Sequence, residues 1–388
     1  MSLDHVSCGF VPLTDCAVLV AAQEMGFAAE MGIDLDLQRE ASWSNIRDKV
    51  AVGLYPVAHM LSPMVLAASL GMGPINAQID APFVLGVNGN TLTTSRVIGE
   101  RVRASGGSFN DVEATAKAML EVFHDRPLRI GVPFPHSMHR LLVSYLFRNL
   151  PGGQEISFVT APPSVLGQVL QAGEVDAFMV GEPWGSLAVE QGDAEILLPS
   201  AAIWNAAPEK VLGVRRDWIE TNPDLLQRLM KALHRASEWA ADPRTTGTLA
   251  EILAQSRYLD APAEVIERAL IGQIVLNGAG ELGAHRFQIR LGGGTVNFPW
   301  CSAAEWIAVQ MAPNLGVSER EARDMAKSSF RTDIYRSTID PEQRFTPPVS
   351  SKVEGTLREP AELETEMGQV MIGPDSFFDN VLFDPDVS

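Results

Sequence analysis

The residues best suited to bind a small ligand lie at predicted junctions between strands and helices. Trp43 follows a strand-like segment and begins a predicted helix, and His59 ends another strand just before a helix. Asn90 lies in the sequence "NGN", where the chain is expected to cross to a second structural unit. Indole, imidazole and amide N–H groups are the donors that a small planar oxyanion needs from several sides. These residues therefore indicate a binding site for a small anion.

Three more polar residues occupy equivalent positions in the second unit. His139 lies at the start of its first predicted helix, and Glu182 follows the apolar strand "VDAFMV". Asn205 precedes the segment that returns to the first unit. If the two units face each other, these side chains converge with Trp43 and with His59. We therefore include them in the predicted ligand site.

A second interpretation of several of these residues stays open. Glu182 fits a helix cap or an ion pair, and His59 on an apolar background fits a buried histidine with satisfied hydrogen bonds. Trp184 and Trp204 fit packing positions in the core or between the units.

The sequence carries no complete motif of nucleotide binding, hydrolysis or metal coordination. GxxxxGK[ST] and GxSxG do not occur, and neither the GxGxxG match "GAGELG" (278–283) nor the glycine run "LGGGTVNF" is followed by a helix signal. His136 and His139 have a spacing that suits a metal, but neither an HExxH pattern nor a nearby carboxylate completes a ligand set. We therefore predict a binding protein that is not an enzyme and uses neither a cofactor nor a metal.

Strand-like and helix-like segments alternate along the first 60 residues and again in the middle of the chain. This alternation predicts an α/β fold whose sheets are largely parallel. The segment "EKVLGVRRDW" is expected to return as a strand to the first unit. We predict two lobes with a ligand cleft between them. Residues 1–94 and 206–388 form lobe I, with C-terminal helices and a wrapping tail, and residues 95–205 form lobe II.

Charge and composition exclude several classes of partner. The 388 residues carry a formal charge of −18, from 30 basic and 48 acidic residues, which disfavours binding to nucleic acid or to anionic membranes. We find no apolar stretch long enough to predict a transmembrane segment. Cys8, Cys16 and Cys301 form no CxxC pair, and the first residues do not look like a secretion signal. We expect a cytoplasmic protein, or a periplasmic one if a signal segment precedes this sequence.

Several segments resemble one known family over nearly the whole chain. The sequences "ASWSNIRDK", "VNGN", "VDAFMVGEPW", "PEKVLGVRRDW" and "FFDNVLFDPD" look like the nitrate- and bicarbonate-binding proteins of ABC-type anion transporters. The resemblance implies a two-lobed type II periplasmic-binding-protein fold that closes on a small ligand. Within the family, the chain is most similar to cytoplasmic nitrate/nitrite sensors of bacterial nitrate assimilation. Such sensors hold an RNA-binding antiterminator protein and release it when ligand binds.

The resemblance also assigns roles to individual residues. The family's pocket tryptophan falls on Trp43, its pocket amide on Asn90 and its pocket histidine on His139. The position of a lysine in nitrate transport proteins, or a glutamate in bicarbonate proteins, falls on Asn205.

A neutral amide at that position would cost a buried anion about 1–3 kcal/mol unless another cation replaces the lysine. Lys210 and Arg47 are the two candidates, although Lys210 lies in the "PEK" block, where it also fits a structural role.

We therefore expect a nitrate- or nitrite-binding protein, a cytoplasmic sensor that releases an RNA-binding antiterminator partner when its lobes close. The alternative is the receptor of an ABC transporter for nitrate, bicarbonate or sulfonate, which would present its closed state to a membrane permease. An alternative from another class is an enzyme on the same fold, similar to thiamine-pyrimidine synthases with a lysine-bound pyridoxal cofactor. The Cys-rich, His-bearing segment of those enzymes is absent from this sequence.

Overall fold

The computed structural model describes residues 3–73, 75–153, 156–286, 288–342 and 344–387. The strands are β1 (Asp4–Phe10), β2 (Ile33–Arg39), β3 (Val57–Leu61), β4 (Ile79–Asn88), β5 (Asn90–Ser95), β6 (Leu128–Val132), β7 (Ile156–Thr160), β8 (Ala177–Gly181), β9 (Ala194–Pro199), β10 (Pro208–Arg215), β11 (Gln273–Val275), β12 (Leu282–Ala284), β13 (Ile289–Arg290), β14 (Ala361–Thr365) and β15 (Gly368–Ile372). The α-helices are α1 (Ala17–Glu24), α2 (Phe27–Glu30), α3 (Trp43–Ala51), α4 (Ser62–Ser69), α5 (Arg96–Ala104), α6 (Val112–Val122), α7 (Met138–Phe147), α8 (Leu166–Gln171), α9 (Trp184–Glu190), α10 (Ser200–Ile203), α11 (Arg216–Thr221), α12 (Pro223–Ala241), α13 (Thr246–Leu253), α14 (Ala263–Ile271), α15 (Cys301–Leu315), α16 (Glu319–Ser329) and α17 (Thr332–Ile339).

The described residues form one large sheet in each lobe and two further two-stranded sheets, β11-β12 and β14-β15. Lobe I contains a six-stranded sheet in the order β13-β4-β10-β3-β1-β2, and lobe II contains a five-stranded sheet in the order β7-β6-β8-β5-β9. Strands β1, β2 and β3 are parallel to one another, as are β6, β7 and β8. The predicted α/β fold is therefore confirmed.

The expectation that the sheets are largely parallel is wrong, because both sheets are mixed. β10 runs antiparallel to β3 and to β4, and β5 runs antiparallel to β8 and to β9. Each of these strands follows a direct crossing from the other lobe. A strand that arrives from the other lobe enters the sheet at the edge where the parallel strands end, so it runs antiparallel to them. A strand that follows a βαβ crossover instead enters at the edge where the parallel strands begin, so it runs parallel to them.

The two crossing segments are tied to each other. The Asn88 backbone N–H donates to the Ala207 carbonyl at 2.9 Å, and the Ala207 N–H donates back to the Asn88 side-chain oxygen at 3.2 Å. Asn88 has a φ of 65° and Gly89 a φ of 97°. Left-handed backbone at both positions turns the chain from β4 directly into β5, and glycine and asparagine adopt this conformation at little cost.

Helix α12 shows how lobe I forms its core. Its Leu226, Leu229 and Leu233 side chains recur at helical spacing and are all buried, and the helix packs against α1. Burial of a leucine side chain stabilises the folded state by about 1.5–3 kcal/mol. Within the described ranges, no helix is long and apolar enough to cross a membrane.

The C-terminal tail after α17 passes from lobe I onto lobe II. The Phe377 ring stacks on the Trp204 ring, with centroids 5.0 Å apart. The Tyr145 hydroxyl of α7 donates to the Asp379 carboxylate at 3.0 Å. Trp204 is thus a packing residue, and the tail holds the outer face of helix α7.

Candidate functional site

Seven polar or aromatic side chains meet between the lobes, and each is 2% exposed or less. We name this group the interlobe cluster; its members are Asp15, Trp43, His59, Asn90, His139, Glu209 and Lys210.

Two of its side chains are placed by capped helix starts. The Ser42 side chain accepts a hydrogen bond from the Asn45 N–H at the start of α3, which makes Trp43 the first residue of that helix. The Ser137 side chain accepts from the Arg140 N–H at the start of α7, which puts His139 in its first turn. A serine cap fixes where a helix begins, and backbone N–H groups at that end favour a negative charge.

Lobe I also contributes Asp15 and His59. Asp15 lies in a short 3-10 turn after β1, and its Oδ1 lies 3.1 Å from Nε2 of His59 in β3. The His59 ring in turn packs against the indole of Trp43, with centroids 5.5 Å apart.

Strand β10 supplies the charged centre of the cluster. Lys210 Nζ lies 2.7 Å from Asp15 Oδ2 and 2.9 Å from Glu209 Oε1. Neighbouring residues of a regular strand point to opposite faces. The pairing of β10 with β4 is irregular between Pro208 and Val211, as in a β-bulge. This irregularity lets Glu209 and Lys210 reach the same cluster.

Lobe II reaches the cluster through Asn90 and His139. The Asn90 amide donates to Glu209 Oε2 at 2.7 Å, and its backbone N–H donates to the Ser200 hydroxyl at 3.2 Å. Nδ1 of His139 lies 3.4 Å from Glu209 Oε1. Glu209 of lobe I therefore faces both lobe II side chains.

Several buried polar atoms in the cluster lack a hydrogen-bond partner within the described part of the chain. They include the indole Nε1 of Trp43, the ring Nε2 of His139 and the side-chain oxygen of Asn90. A buried polar group left without a hydrogen bond costs about 1–3 kcal/mol. The indole N–H of Trp43 and a ring N–H of His139 are donors, and donors without partners in the described residues beside a buried ammonium are typical of a site that completes its hydrogen bonds with an anion.

Electrostatics set the charge state of each member. Burial raises the pKa of Asp15, but the Lys210 ammonium and His59 outweigh this effect and lower it to about 2. Burial lowers the pKa of Lys210, but Asp15 and Glu209 outweigh it and hold the pKa above its usual value. Asp15 is therefore ionised and Lys210 positively charged at neutral pH.

The other titratable members are governed mainly by burial. Burial, with a smaller contribution from Lys210, holds the pKa of His139 well below its usual value. Burial also lowers the pKa of His59, although Asp15 opposes the shift. Burial raises the pKa of Glu209, against the opposing effect of Lys210.

Two hydrogen bonds join the lobes beside the cluster. The Thr14 N–H donates to the Glu182 carbonyl at 2.7 Å, and the Trp184 indole donates to the Pro12 carbonyl at 2.9 Å. Lobe contacts of this kind keep the cluster buried, and burial strengthens the electrostatic interactions within it.

Four of the six predicted ligand residues, Trp43, His59, Asn90 and His139, come together in the interlobe cluster. The carboxylate of the fifth, Glu182, lies within lobe II, where it accepts from the Thr91 hydroxyl at 2.9 Å and from the Ser186 N–H at 3.3 Å. It acts at the start of α9, as the alternative interpretation proposed.

The sixth predicted residue, Asn205, lies outside the cluster. Its backbone N–H donates to the Ser376 carbonyl at 3.0 Å, and the residue borders a separate cleft of about 430 Å³ together with His285. Its side-chain oxygen is buried and has no hydrogen-bond partner among the described residues. The family lysine whose position falls on Asn205 is therefore not a missing member of the interlobe cluster. Lys210 supplies the cation from β10. Arg47 pairs with Asp48, with Nε 2.7 Å from Oδ1, and its guanidinium lies 5.8 Å from the centroid of the Phe134 ring.

Two members of the cluster, Asp15 and Glu209, were not among the predicted ligand residues, and Lys210 was named only as a candidate replacement for the family's lysine. Its place in the family's "PEK" block also fitted a structural role. An acidic and a basic residue side by side in an otherwise apolar strand, "PEKVLGV", was the signal that marked them.

The described residues contain no group of three or more His, Cys, Asp or Glu side chains arranged to hold a metal ion. The donors of the cluster are N–H groups and an ammonium, which bind anions rather than cations.

Comparisons with known proteins identify relatives along the whole chain. The chain is 27% identical over 391 residues to the nitrate/nitrite binding protein NrtA of Nostoc sp., which covers 97% of this chain and 82% of that protein. It is 32% identical over 316 residues to the nitrate import ATP-binding protein NrtC of Synechocystis sp., which covers 79% of this chain. The chain spans only 46% of that NrtC protein's length.

The fold matches that of a solved relative. The crystal structure of the periplasmic nitrate-binding protein NrtA from Synechocystis superposes with a TM-score of 0.84 at 22% identity, covering 99% of this chain and 96% of that one. The lobes thus form a two-lobed type II periplasmic-binding-protein fold, as predicted. A profile of the NMT1-like family matches residues 2–254, which is more than half of the sequence. The chain therefore belongs to the NMT1-like family and is homologous to the NrtA nitrate-binding proteins.

Proposed function

We propose that this protein binds nitrate or nitrite in the interlobe cluster and that the bound anion holds the lobes closed. The observation that carries the proposal is the fully buried Lys210 ammonium, which lies between the lobes beside the Trp43 indole N–H, a donor without a partner among the described residues. The homologous NrtA proteins are named for nitrate and nitrite binding, which supports the same ligand class.

The geometry suits a small planar anion. Trp43 approaches from lobe I, His139 from lobe II and Lys210 from the strand that returns from lobe II to lobe I. Each can donate a hydrogen bond to a different oxygen, and bonds to a charged acceptor are stronger than those between neutral groups. Because the donors belong to both lobes, the anion binds the closed arrangement better than an open one, which is the condition for a ligand to shift that equilibrium.

Calorimetric titration tests this proposal. We expect nitrate or nitrite to bind with a Kd in the micromolar range, while bicarbonate and a small alkanesulfonate bind at least tenfold more weakly. Trp43→Ala should abolish binding, and Asn205→Ala serves as the matched control because that residue lies outside the interlobe cluster, at the separate cleft. Tight binding of bicarbonate or sulfonate alone would contradict the assignment of nitrate, and so would full binding by the Trp43 variant.

For the biological role we propose a cytoplasmic sensor that releases an RNA-binding antiterminator protein when the anion closes the lobes. Three buried thiols, Cys8, Cys16 and Cys301, support a reducing compartment. Size-exclusion chromatography with a purified antiterminator from the same genome tests this role. We expect a complex that dissociates on addition of nitrate but not of chloride, and a complex indifferent to nitrate would contradict the sensor.

A second candidate role is the receptor of an ABC-type importer. Its support is the similarity to NrtC and CmpC, which are named as ATP-binding proteins of nitrate and bicarbonate transport. In this role the closed lobes would dock on a membrane permease in the periplasm. Fractionation of the native host decides between the two roles, since the receptor requires export and the sensor requires retention in the cytoplasm. Neither role includes catalysis, in keeping with relatives that are named as binding proteins.

A further inference from the structure

The net charge of the interlobe cluster opposes the binding of an anion. With His59 and His139 neutral, the Lys210 ammonium faces two carboxylates, Asp15 and Glu209, so the cluster carries one net negative charge. All of these groups are buried, where charges interact far more strongly than in water. A monovalent anion that enters this cluster would meet a repulsive charge unless one carboxylate is neutralised.

The surroundings of the two carboxylates differ. Asp15 lies beside the ammonium and 3.1 Å from His59, and both hold it in the ionised form. Glu209 is faced by Lys210 on its own strand, His139 from α7, Asn90 from β5 and, at longer range, Asp15 from the 3-10 turn and His59 from β3. Among these neighbours only Lys210 is positively charged, and Asp15 already shares it.

A proton therefore fits on Glu209. Oε2 of Glu209 accepts from the Asn90 amide, whereas Oε1 accepts from Lys210 Nζ at 2.9 Å and lies 3.4 Å from Nδ1 of His139. A proton on Oε1 that is directed at Nδ1 makes this nitrogen an acceptor, so the single hydrogen of the neutral imidazole is on Nε2. That nitrogen has no hydrogen-bond partner in the described residues and is then a donor for the anion.

We propose that Glu209 is a positioning residue for the anion, so that nitrate binds together with one proton, which Glu209 shares with His139. The proposal rests on the proposed function. The proton comes from solvent, converts the carboxylate to a carboxylic acid, and leaves the cluster neutral before the anion enters. It also sets the tautomer of His139. Burial, which raises the pKa of Glu209, favours this protonation.

The expected consequence is a linkage between pH and affinity. When only the protonated form binds, the apparent Kd equals the intrinsic Kd divided by the protonated fraction. Above the midpoint of this titration, the Kd for nitrate should rise about tenfold with each pH unit. Below the midpoint, the Kd should be constant. Nitrate itself takes up no proton in this range, so the dependence belongs to the protein.

Calorimetry with the wild-type protein measures the proton directly. Nitrate is titrated in two amine buffers of different ionisation enthalpy, because sulfonate and phosphate buffers compete for an oxyanion site. The difference in observed enthalpy gives the number of protons taken up. We expect a value near one above the midpoint and near zero well below it.

Glu209→Gln should bring the proton uptake to zero and make the Kd independent of pH. Glu182→Gln is the matched control, because Glu182 is an equally buried carboxyl outside the cluster, and it should keep the wild-type pH profile.

Nitrate binding without proton uptake, at a Kd that does not change with pH, would overturn this inference and leave the proposed function standing. Absence of nitrate binding at every pH would instead contradict the proposed function, and the inference with it. Because the buffer experiment uses the wild-type chain, the inference stays testable even if the Glu209 variant fails to fold.

Discussion

Replacement of Lys210 by methionine tests the charged centre of the site. The side chain is fully buried, and its Nζ contacts the carboxylates of Asp15 and Glu209. Methionine preserves most of the volume but leaves both carboxylates without their cation. Removal of one partner of a buried ion pair typically destabilises a protein by about 3–5 kcal/mol. We expect a folded variant whose free energy of unfolding at pH 7 is lower by that amount.

The same variant has a defined pH dependence. In the wild type the pKa of Asp15 is lowered from 3.8 to about 2, so its ionised form stabilises the fold above its ordinary pKa, and this contribution is lost as the pH falls towards 2. Without Lys210, burial acts unopposed by the ammonium and raises the pKa of Asp15. The stability difference between wild type and variant should therefore be largest at neutral pH and should narrow below about pH 4. Urea unfolding at pH 7 and pH 3.5 measures both values.

The nitrate Kd of each variant distinguishes a residue that binds the anion from one that only stabilises the fold. Loss of the ammonium should weaken nitrate binding by about 1.5–3 kcal/mol, which is roughly 10- to 150-fold in Kd. Lys352→Met is the matched control, because Lys352 is also largely buried and pairs with Glu354 and Asp375, away from the cluster. It should lose stability but keep its nitrate Kd within about twofold. A Lys210 variant that binds nitrate as the wild type does would refute the role of Lys210.

Three further variants probe the remaining parts of the account. Trp43→Phe removes only the indole N–H donor, so the nitrate Kd measured by calorimetry should rise about tenfold while the unfolding midpoint changes little. Asn205→Ala should leave the nitrate Kd within about twofold, because this residue lies at the separate cleft. A larger increase in the Kd would show that Asn205 contributes to the nitrate site. Asp176→Asn should cost about 1–2 kcal/mol at pH 7, after allowance for screening of its half-exposed partners Arg126 and Arg129. Burial opposes the low pKa of Asp176, but these arginines outweigh it and hold the pKa at about 2. Urea unfolding should therefore show the Asp176 difference above pH 4 and its loss as the pH falls towards 2.

Local signals in the sequence predict the parts of the site that depend on local structure. Ser42 and Ser137 mark helix starts, so the positions of Trp43 and His139 at those starts follow from capping preferences. The alternation of strands and helices predicts the α/β class. Whether the converging side chains bind the anion stays a prediction for the variants above.

The remaining features of the site depend on contacts between residues that are distant in the sequence. The irregular pairing of β10 with β4 turns Glu209 and Lys210 towards the same side, and strand periodicity alone places them on opposite faces. The antiparallel direction of β5 and β10 follows from the crossings between the lobes, which a strand pattern does not encode. Asn205 was expected in the site because it precedes the return crossing, but its backbone N–H donates to the carbonyl of the tail residue Ser376, and the residue lies at the separate cleft.

A crystal structure of the protein grown with nitrate tests the central claim most directly. The account predicts one nitrate in the interlobe cluster, with its oxygens about 2.7–3.2 Å from the indole Nε1 of Trp43, Nε2 of His139 and Nζ of Lys210. Nitrate bound instead in the outer cleft beside Asn205, with the interlobe cluster unchanged, would contradict it.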